Sequence, residues 1–285
     1  MIRVLAAGDV IGKPGRKALA KLLPLARETF SPDIVIVNGE NAAGGFGLTK
    51  KIYDQFINNF GIDCVTMGNH WHDKPEIHNF APTAARLVLP ANMMNVGNNE
   101  LAYRVLETKS GVPFAVINLI GKAFMHPDNR DFFKPLDEIL AKLPAQCKIR
   151  IVDFHAEATS EKQALGHFLK GKASLVYGTH SHVPTADERI FEGGTGYTTD
   201  LGMTGPYDSV IGIRSDAAIM RMQTGERKRF EPATHDLWFC FVLADIDPNT
   251  GKCIKIERHR WEWDKIKATL GDDNDAEDYE KDGDN

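Results

Sequence analysis

The stretch Val65-Thr66-Met67-Gly68-Asn69-His70-Trp71-His72-Asp73 decides how the rest of the chain is read. A short β-branched, apolar run ends at Met67, and a glycine then turns the backbone. Asn69 and His70 stand side by side at that turn. An amide oxygen and an imidazole at the end of a strand suit a metal ion or a phosphate better than a core. Alone the stretch is ambiguous. It becomes informative because the same grammar recurs four more times: apolar strand, small residue, then an oxygen or nitrogen donor.

Working outward, Ile2 to Ala7 reads as a buried strand ending at Asp9, with Gly12, Pro14 and Gly15 in a loop before a helix from Arg16 to Thr29. Asp33 to Val37 is a second buried strand, followed by Asn38-Gly39-Glu40-Asn41 and a glycine-rich loop. Thr49 is placed to cap a helix to about Phe60. Cys64 to Met67 is the third strand, and strands alternating with helices argue for a largely parallel sheet. Beyond Asp73 come a helix from about Pro75, a short strand from Arg86 to Leu89, and a hairpin of Ala102–Glu107 with Val112–Asn118, so this half is expected to be more antiparallel. A helix (Phe133–Leu143) and a buried strand (Lys148–Phe154) deliver His155. A helix (Ala158–Leu169) and a strand (Ala173–Tyr177) deliver Gly178-Thr179-His180-Ser181-His182. A helix is expected from Asp208 through Met222, and Leu237–Asp247 with Lys252–Trp263 closes the domain as an antiparallel pair.

Composition bounds the class. The 285 residues suffice for a large core, and 42% hydrophobic with 26% charged residues is ordinary soluble composition. The net charge of −5 argues against broad electrostatic binding to nucleic acid. It is concentrated in Gly271 to Asn285, with eight acidic side chains and one lysine. Such a tail cannot bury enough surface to repay its ordering entropy. The expected organisation is therefore one domain over 1–266 and an acidic, disordered tail over 267–285. Cys64, Cys147, Cys240 and Cys253 form no C-x-x-C pair and read as buried thiols in a reducing compartment. With no signal peptide and no bilayer-length apolar run, the expected location is cytoplasmic, without membrane contact.

Five strand ends now carry polar groups: Asp9; Glu40 with Asn41; Asn69 with His70; His155; and His180 with His182. In open α/β sheets ligands bind beyond the carboxyl ends of the strands, so these sets converge if the strands are right. Carboxylates, amide oxygens and imidazoles suit borderline or hard divalent metals such as Mn, Fe, Co or Zn, and the lack of a thiolate disfavours structural zinc. Seven or eight donors are too many for one tetrahedral ion and about right for two. Two divalent ions, less the charges of Asp9, Glu40 and a bridging hydroxide, leave a positive centre that attracts phosphate. Two ions about 3.5–4 Å apart clamp an in-line displacement.

The motifs G-D at 8–9, G-E-N at 39–41, G-N-H at 68–70, His155 and G-T-H-S-H at 178–182 resemble those of the calcineurin-like metallophosphoesterases. The variants G-D-V-I-G-K-P-G-R at 8–16 and N-G-E-N-A-A-G-G-F-G at 38–47 more closely resemble the YmdB-like branch, over about Met1 to Trp263. The resemblance implies a four-layer α-β-β-α sandwich of two mixed sheets flanked by helices. It implies a di-metal centre of divalent or mixed-valence transition metals, Fe or Mn foremost, and phosphodiesterase activity on cyclic nucleotides, notably 2′,3′-cyclic monophosphates, by attack of a metal-bridging hydroxide. The superfamily's D-x-H histidine is replaced by Ile11 and its bridging aspartate by Glu40, and Asn41 is placed to supply the missing ligand. The expected roles put Asp9, Glu40, Asn41 and His182 on one ion and Glu40, Asn69, His155 and His180 on the other, with Glu40 bridging. His70 would protonate the leaving alkoxide.

Ordinary alternatives stand beside each reading. Asp9 alone reads better as a helix N-cap or turn aspartate; the alternatives elsewhere are a solvated turn for Glu40-Asn41, a turn asparagine with a satisfied histidine for Asn69-His70, and a core histidine for His155, where the setting D-F-H-A-E favours a ligand. His72, Asp73 and Glu157 could stand behind the ligands. Gly44-Gly45-Phe46-Gly47 lacks the lysine of a P-loop and reads as an active-site rim. Thr198, Thr199 and Asp200 are not separable from an ordinary loop. His78, His126, His167, His235 and His259 read as surface or structural. A phosphomonoesterase or nucleotidase on the same centre, and a nucleotide-sensing regulatory protein, are the competing functions. A homo-oligomer is left open.

Overall fold

The structure is a computed structural model that describes residues 1–93, 101–125, 131–226 and 231–270. His126 and 271–285 lie outside the described residues.

Alternation along the strands sorts the core into three apolar layers. On β1 (Ile2–Ala7), Leu5 and Ala7 pack outward with Leu19, Leu22 and Leu23, while Ile2, Val4 and Ala6 face the second sheet. After β2 (Asp9–Val10), the helix carrying those leucines is α1 (Gly12–Phe30). It begins at Gly12 rather than Arg16, because Lys13 and Pro14 occupy its first turn, where a missing proline N–H costs nothing. On β3 (Ile34–Asn38) the same split puts Val35 and Val37 outward and Ile34 and Ile36 between the sheets. Thr49 caps α2 (Lys50–Asp54) by accepting from the Ile52 N–H, and the expected single helix relaxes into a π-turn at Gln55–Asn59. Next come β4 (Cys64–Thr66), α3 (Ile77–Phe80) and β5 (Leu87–Val88).

The second sheet starts with β6 (Tyr103–Glu107) and β7 (Pro113–Ile120), the expected hairpin. Then α4 (Phe133–Lys142), β8 (Ile149–His155), α5 (Thr159–Phe168) and β9 (Leu175–Thr179) follow. β8 sends Ile149 and Ile151 between the sheets, and Val152 and Phe154 towards Leu136 and Leu165 of the outer helices. The chain continues through β10 (Arg189–Phe191), β11 (Thr195–Thr198), β12 (Met203–Pro206) and α6 (Ser215–Thr224). It closes with β13 (Leu237–Ile246), β14 (Cys253–Glu262) and α7 (Trp263–Leu270). The helix expected from Asp208 starts at Ser215.

One sheet runs β2-β12-β13-β1-β3-β4-β5 with β14 paired to β13, and the other runs β10-β11-β9-β8-β7-β6. The layers are thus helices, sheet, sheet, helices, the expected four-layer sandwich. The second sheet is not the antiparallel half the sequence suggested. β7, β8 and β9 are parallel, because α4 and α5 return the chain as crossovers; β11 lies parallel beside β9, and only the edge strands β6 and β10 run antiparallel. All four cysteines are buried free thiols. Among the described residues no helix is long and apolar enough to cross a membrane.

Candidate metal centre

The carboxyl ends of the two sheets meet at one edge. A polar seam between the sheets marks the place. Asp153 of β8 is fully buried and accepts hydrogen bonds from Thr66 of β4, from Thr179 of β9 (2.8 Å) and from the Asn38 amide of β3 (3.0 Å). Burial pushes the Asp153 carboxyl up to about 7, against the pull of these donors. Asn38 in turn accepts the Glu40 N–H (3.0 Å), which sets the turn that follows β3. Sequence reasoning missed Asp153, because it lies in the apolar run Ile149–His155 without a local signal.

On this seam the candidate ligands and His70 are brought together. The first sheet supplies Asp9, Glu40, Asn41, Asn69 and His70, and the second supplies His155, His180 and His182. Glu40, His155 and His180 form one group of donors, all within 4.8 Å of one another, and Asp9, Glu40 and His182 form another. The two groups share Glu40. His155 Nε2 lies 3.1 Å from Glu40 Oε1, 3.0 Å from Asn69 Oδ1 and 3.0 Å from His180 Nδ1. One ring nitrogen has one hydrogen at most, so these contacts cannot all be ordinary hydrogen bonds. The spacing fits donors around a shared cation, since neighbouring ligands bound at about 2.1 Å lie about 3 Å apart. Two buried oxygens, Asp9 Oδ1 and Asn41 Oδ1, have no hydrogen-bond partner. Buried polar atoms are rarely left orphaned, so these two are the second sign that the residues fit a metal.

The local backbone serves this arrangement. A Cβ at Gly68 would fall on the Glu40 carboxylate and the His155 ring, so only glycine lets β4 approach the centre. His180 and His182 both have positive φ, 97° and 64°, a costly state for non-glycine residues that the surroundings must impose. Asp9 Oδ2 accepts the His180 N–H (3.0 Å), and His182 Nδ1 donates to the Ile211 carbonyl (2.8 Å). Between the two histidines, Ser181 N–H donates to Asp200 Oδ2 (3.2 Å). Asp200 is itself paired with Lys162 Nζ at 2.6 Å, and both side chains are almost fully buried, 1% and 2% exposed. The sequence could not separate Asp200 from a loop residue and gave no sign of Lys162.

Charge is distributed accordingly. Burial raises the Asp9 carboxyl against the pull of His182 and His155. Burial also works to raise Glu40, but the imidazoles of His155, His70 and His180 outweigh it and hold the carboxyl low. His155 moves up despite burial because Glu40 and Asp9 face it, and burial beside charged His155 pushes His180 down. His155 Nδ1 lies 2.9 Å from Thr179 Oγ1, whose own proton goes to Asp153, so Nδ1 donates; once the ring gives up its second proton, Nε2 is the nitrogen that would face a metal.

His70 stands differently. Its N–H donates to Glu40 Oε2 (3.1 Å), while its ring Nδ1 donates to Asp73 Oδ2 at 2.8 Å, leaving Nε2 available. Glu157 Oε2 lies 3.1 Å from His180 Nε2. A cleft of about 360 Å³ opens over these groups, lined by Glu40, Asn41, His70, His180 and His182 and by apolar Ile11, Phe46, Ile211, Ile213 and Pro232. Gly44 and Gly45 join its lining, as a rim loop should. His72 and His78 lie edge-on to Trp71, and His259 stacks on Phe241.

The sandwich and the strand-end donors define a calcineurin-like metallophosphoesterase fold. Calcineurin-like phosphoesterase YfkN from Bacillus subtilis superposes with a TM-score of 0.54 at 13% identity, over 92% of this chain and 90% of that one. The chain belongs to the YmdB-like protein family, whose model matches residues 5–259. A curated relative, 2′,3′-cyclic-nucleotide 2′-phosphodiesterase of Bacillus subtilis (strain 168), is 44% identical over 257 residues, 90% of this chain and 96% of the relative. A protein of Thermus thermophilus, described as hypothetical, superposes with a TM-score of 0.84 at 37% identity, covering 92% of this chain and 99% of that one.

Proposed function

We propose that this chain is a two-metal phosphodiesterase that hydrolyses 2′,3′-cyclic nucleotides. The observation that carries the reading is the pair of donor groups meeting at Glu40, with His70 beside them at the cleft. The activity of the Bacillus relative supports the choice of substrate. Asp9, Glu40, Asn41 and His182 would hold one ion and Glu40, Asn69, His155 and His180 the other. The hard and borderline donors suit Fe or Mn. Two such ions supply positive charge to the phosphoryl oxygens and acidify water.

The chain's own residues do the rest. Hydrolysis adds a water oxygen to phosphorus, breaks the bond to the ribose 2′-oxygen and leaves a 3′-monophosphate with a free 2′-hydroxyl. That oxygen needs a proton as it departs. His70 Nε2 provides it from the doubly protonated ring, which becomes neutral as the proton leaves, and the bond from Nδ1–H to Asp73 Oδ2 orients that ring.

The test is His70→Ala, assayed with Mn²⁺ on 2′,3′-cyclic AMP alongside metal content. The expected result is full metal occupancy with turnover down by roughly 10²–10⁴-fold. Unchanged turnover would remove His70 from the mechanism. Hydrolysis of p-nitrophenyl phosphate in preference to bis-p-nitrophenyl phosphate would replace the diesterase reading with a monoesterase.

A further inference from the structure

The walls of the cleft differ in kind from its floor. Phe46 projects from the glycine-flanked rim loop and lies edge-on to His70, ring centres 5.0 Å apart. Ile211 is 48% exposed, a large apolar side chain left open at the mouth of a polar site. Ile213 and Pro232 continue the surface, and Pro232 packs towards Gly12 and Gly45.

Most of the polar backbone of these walls is already engaged. The Ile211 carbonyl accepts from His182. Gly212 N–H donates to Ser209 Oγ, and its carbonyl accepts from Ala233 N–H. Ile213 exchanges both backbone bonds with Val210. Gly45 N–H donates to the Asn41 carbonyl, its own carbonyl accepts from the Asn41 amide, and Phe46 N–H donates to Ala43. Ser181 Oγ is bonded to both backbone groups of Val183. Among the described lining residues there is no lysine or arginine. Glu157, also in the lining, is turned to His180 Nε2 at 3.1 Å, so the apolar walls themselves offer contact area and little with which to read a base edge or bind a further phosphate.

We propose that Phe46, Ile211, Ile213 and Pro232 form a nucleoside subsite that holds the base by stacking and apolar contact and does not distinguish one base from another. The proposal rests on the cyclic-nucleotide reading given above. Its logic is one of magnitudes. A site that hydrogen-bonds its substrate rejects the wrong one by roughly 10⁴–10⁵-fold, whereas an apolar pocket separates similar groups by only about 10–200-fold. Base–aromatic stacking tolerates any base because every base has a π-face.

The experiment compares kcat/KM for the 2′,3′-cyclic phosphates of adenosine, guanosine, cytidine and uridine, with glycerol 1,2-cyclic phosphate as the substrate without a base. The four nucleotides should fall within about tenfold of one another. Phe46→Ala should raise KM for all four together, by about tenfold more than for glycerol 1,2-cyclic phosphate. Preference for a single base by more than about 10³-fold would overturn the proposal. So would an equal KM rise with and without a base. If no cyclic phosphate is turned over while bis-p-nitrophenyl phosphate is cleaved, the substrate reading fails. Inhibition of that cleavage by the four nucleoside 3′-monophosphates then judges the subsite separately. Equal inhibition, weakened for all four by Phe46→Ala, supports it; inhibition by one base alone, or by none, overturns it.

Discussion

The layer between the two sheets has two unlike ends. At one, Ile2, Ile34, Phe114 and Ile149 close it with apolar side chains. At the other, Asn38, Thr66, Asp153 and Thr179 fill the same space with hydrogen-bonded polar groups, and the candidate ligands stand just beyond. A fully buried Phe or Ile contributes about 1.5–3 kcal/mol, whereas a satisfied buried hydrogen bond nets about 1 kcal/mol and is costly to break. The comparison teaches that the apolar end holds the sandwich together and the polar end holds its donors in place. Substitutions at each end should therefore move different observables.

Glu40→Gln tests this with the largest expected effect. Gln keeps the shape but removes the charge shared by both donor groups. Metal occupancy should fall and hydrolysis should be abolished, while the melting temperature measured in chelator should fall less than for a cavity made at the apolar end. Retained activity with two bound ions would remove Glu40 from its bridging role. At the opposite end, Phe114→Ala should cost about 3–5 kcal/mol by leaving a cavity in the inter-sheet layer. Urea unfolding reads that loss. The metal content and kcat of the folded fraction should stay near those of the unsubstituted chain. A loss of metal on Phe114→Ala would break the division of labour.

The sequence made the donor end partly legible and its supports hardly at all. Asp9, Glu40, Asn69, His155 and His180 each follow an apolar strand, and that pattern is local, so their convergence could be read from strand order. Asp153 and Thr179 sit inside strands and Lys162 inside a helix, and what pairs them comes from other elements, 87 residues away for Thr66 with Asp153 and 38 for Lys162 with Asp200. Nothing within a short window signals such contacts. The second sheet was misjudged for a related reason. The turn at Ser110-Gly111 is a true hairpin signal, but it speaks only for β6 and β7. The parallel order of β7, β8 and β9 is set by the crossovers of α4 and α5.

Lys162 and Asp200 sharpen the comparison on a smaller scale, because they form a buried ion pair at the donor end. Asp200→Asn cannot both accept the Ser181 and Gly202 N–H groups and balance Lys162. Metal affinity should drop about 10–100-fold, as for other residues that orient ligands from behind. Metal titration measures it. Adding Lys162→Met removes the unpaired charge and should recover stability, since neutral replacements of buried pairs are often tolerated. Affinity should not recover, because the Ser181 clamp between His180 and His182 is still weakened. Recovery of both would mean that only charge balance matters there.

The smallest effect belongs to the apolar end's surface. Arg3 and Asp245 join β1 to β13 through two bonds, 2.7 and 2.9 Å. The Arg3 hydrogen bond holds the Asp245 carboxyl below its ordinary value, though the Arg3 side chain is 39% exposed and solvent screens the pair. A lowered carboxyl contributes stability that is present above the unfolded value of about 3.9 and is lost as pH falls through the folded one. Asp245→Asn should therefore lower the stability read by urea unfolding at pH 7 by no more than about 1 kcal/mol, and the gap should close as pH drops below about 4. High salt should narrow it as well. Turnover should not change at any pH where both chains are folded, because this pair touches neither the seam nor the donors. A change in turnover would mean that β1 and β13 carry strain from one end of the layer to the other.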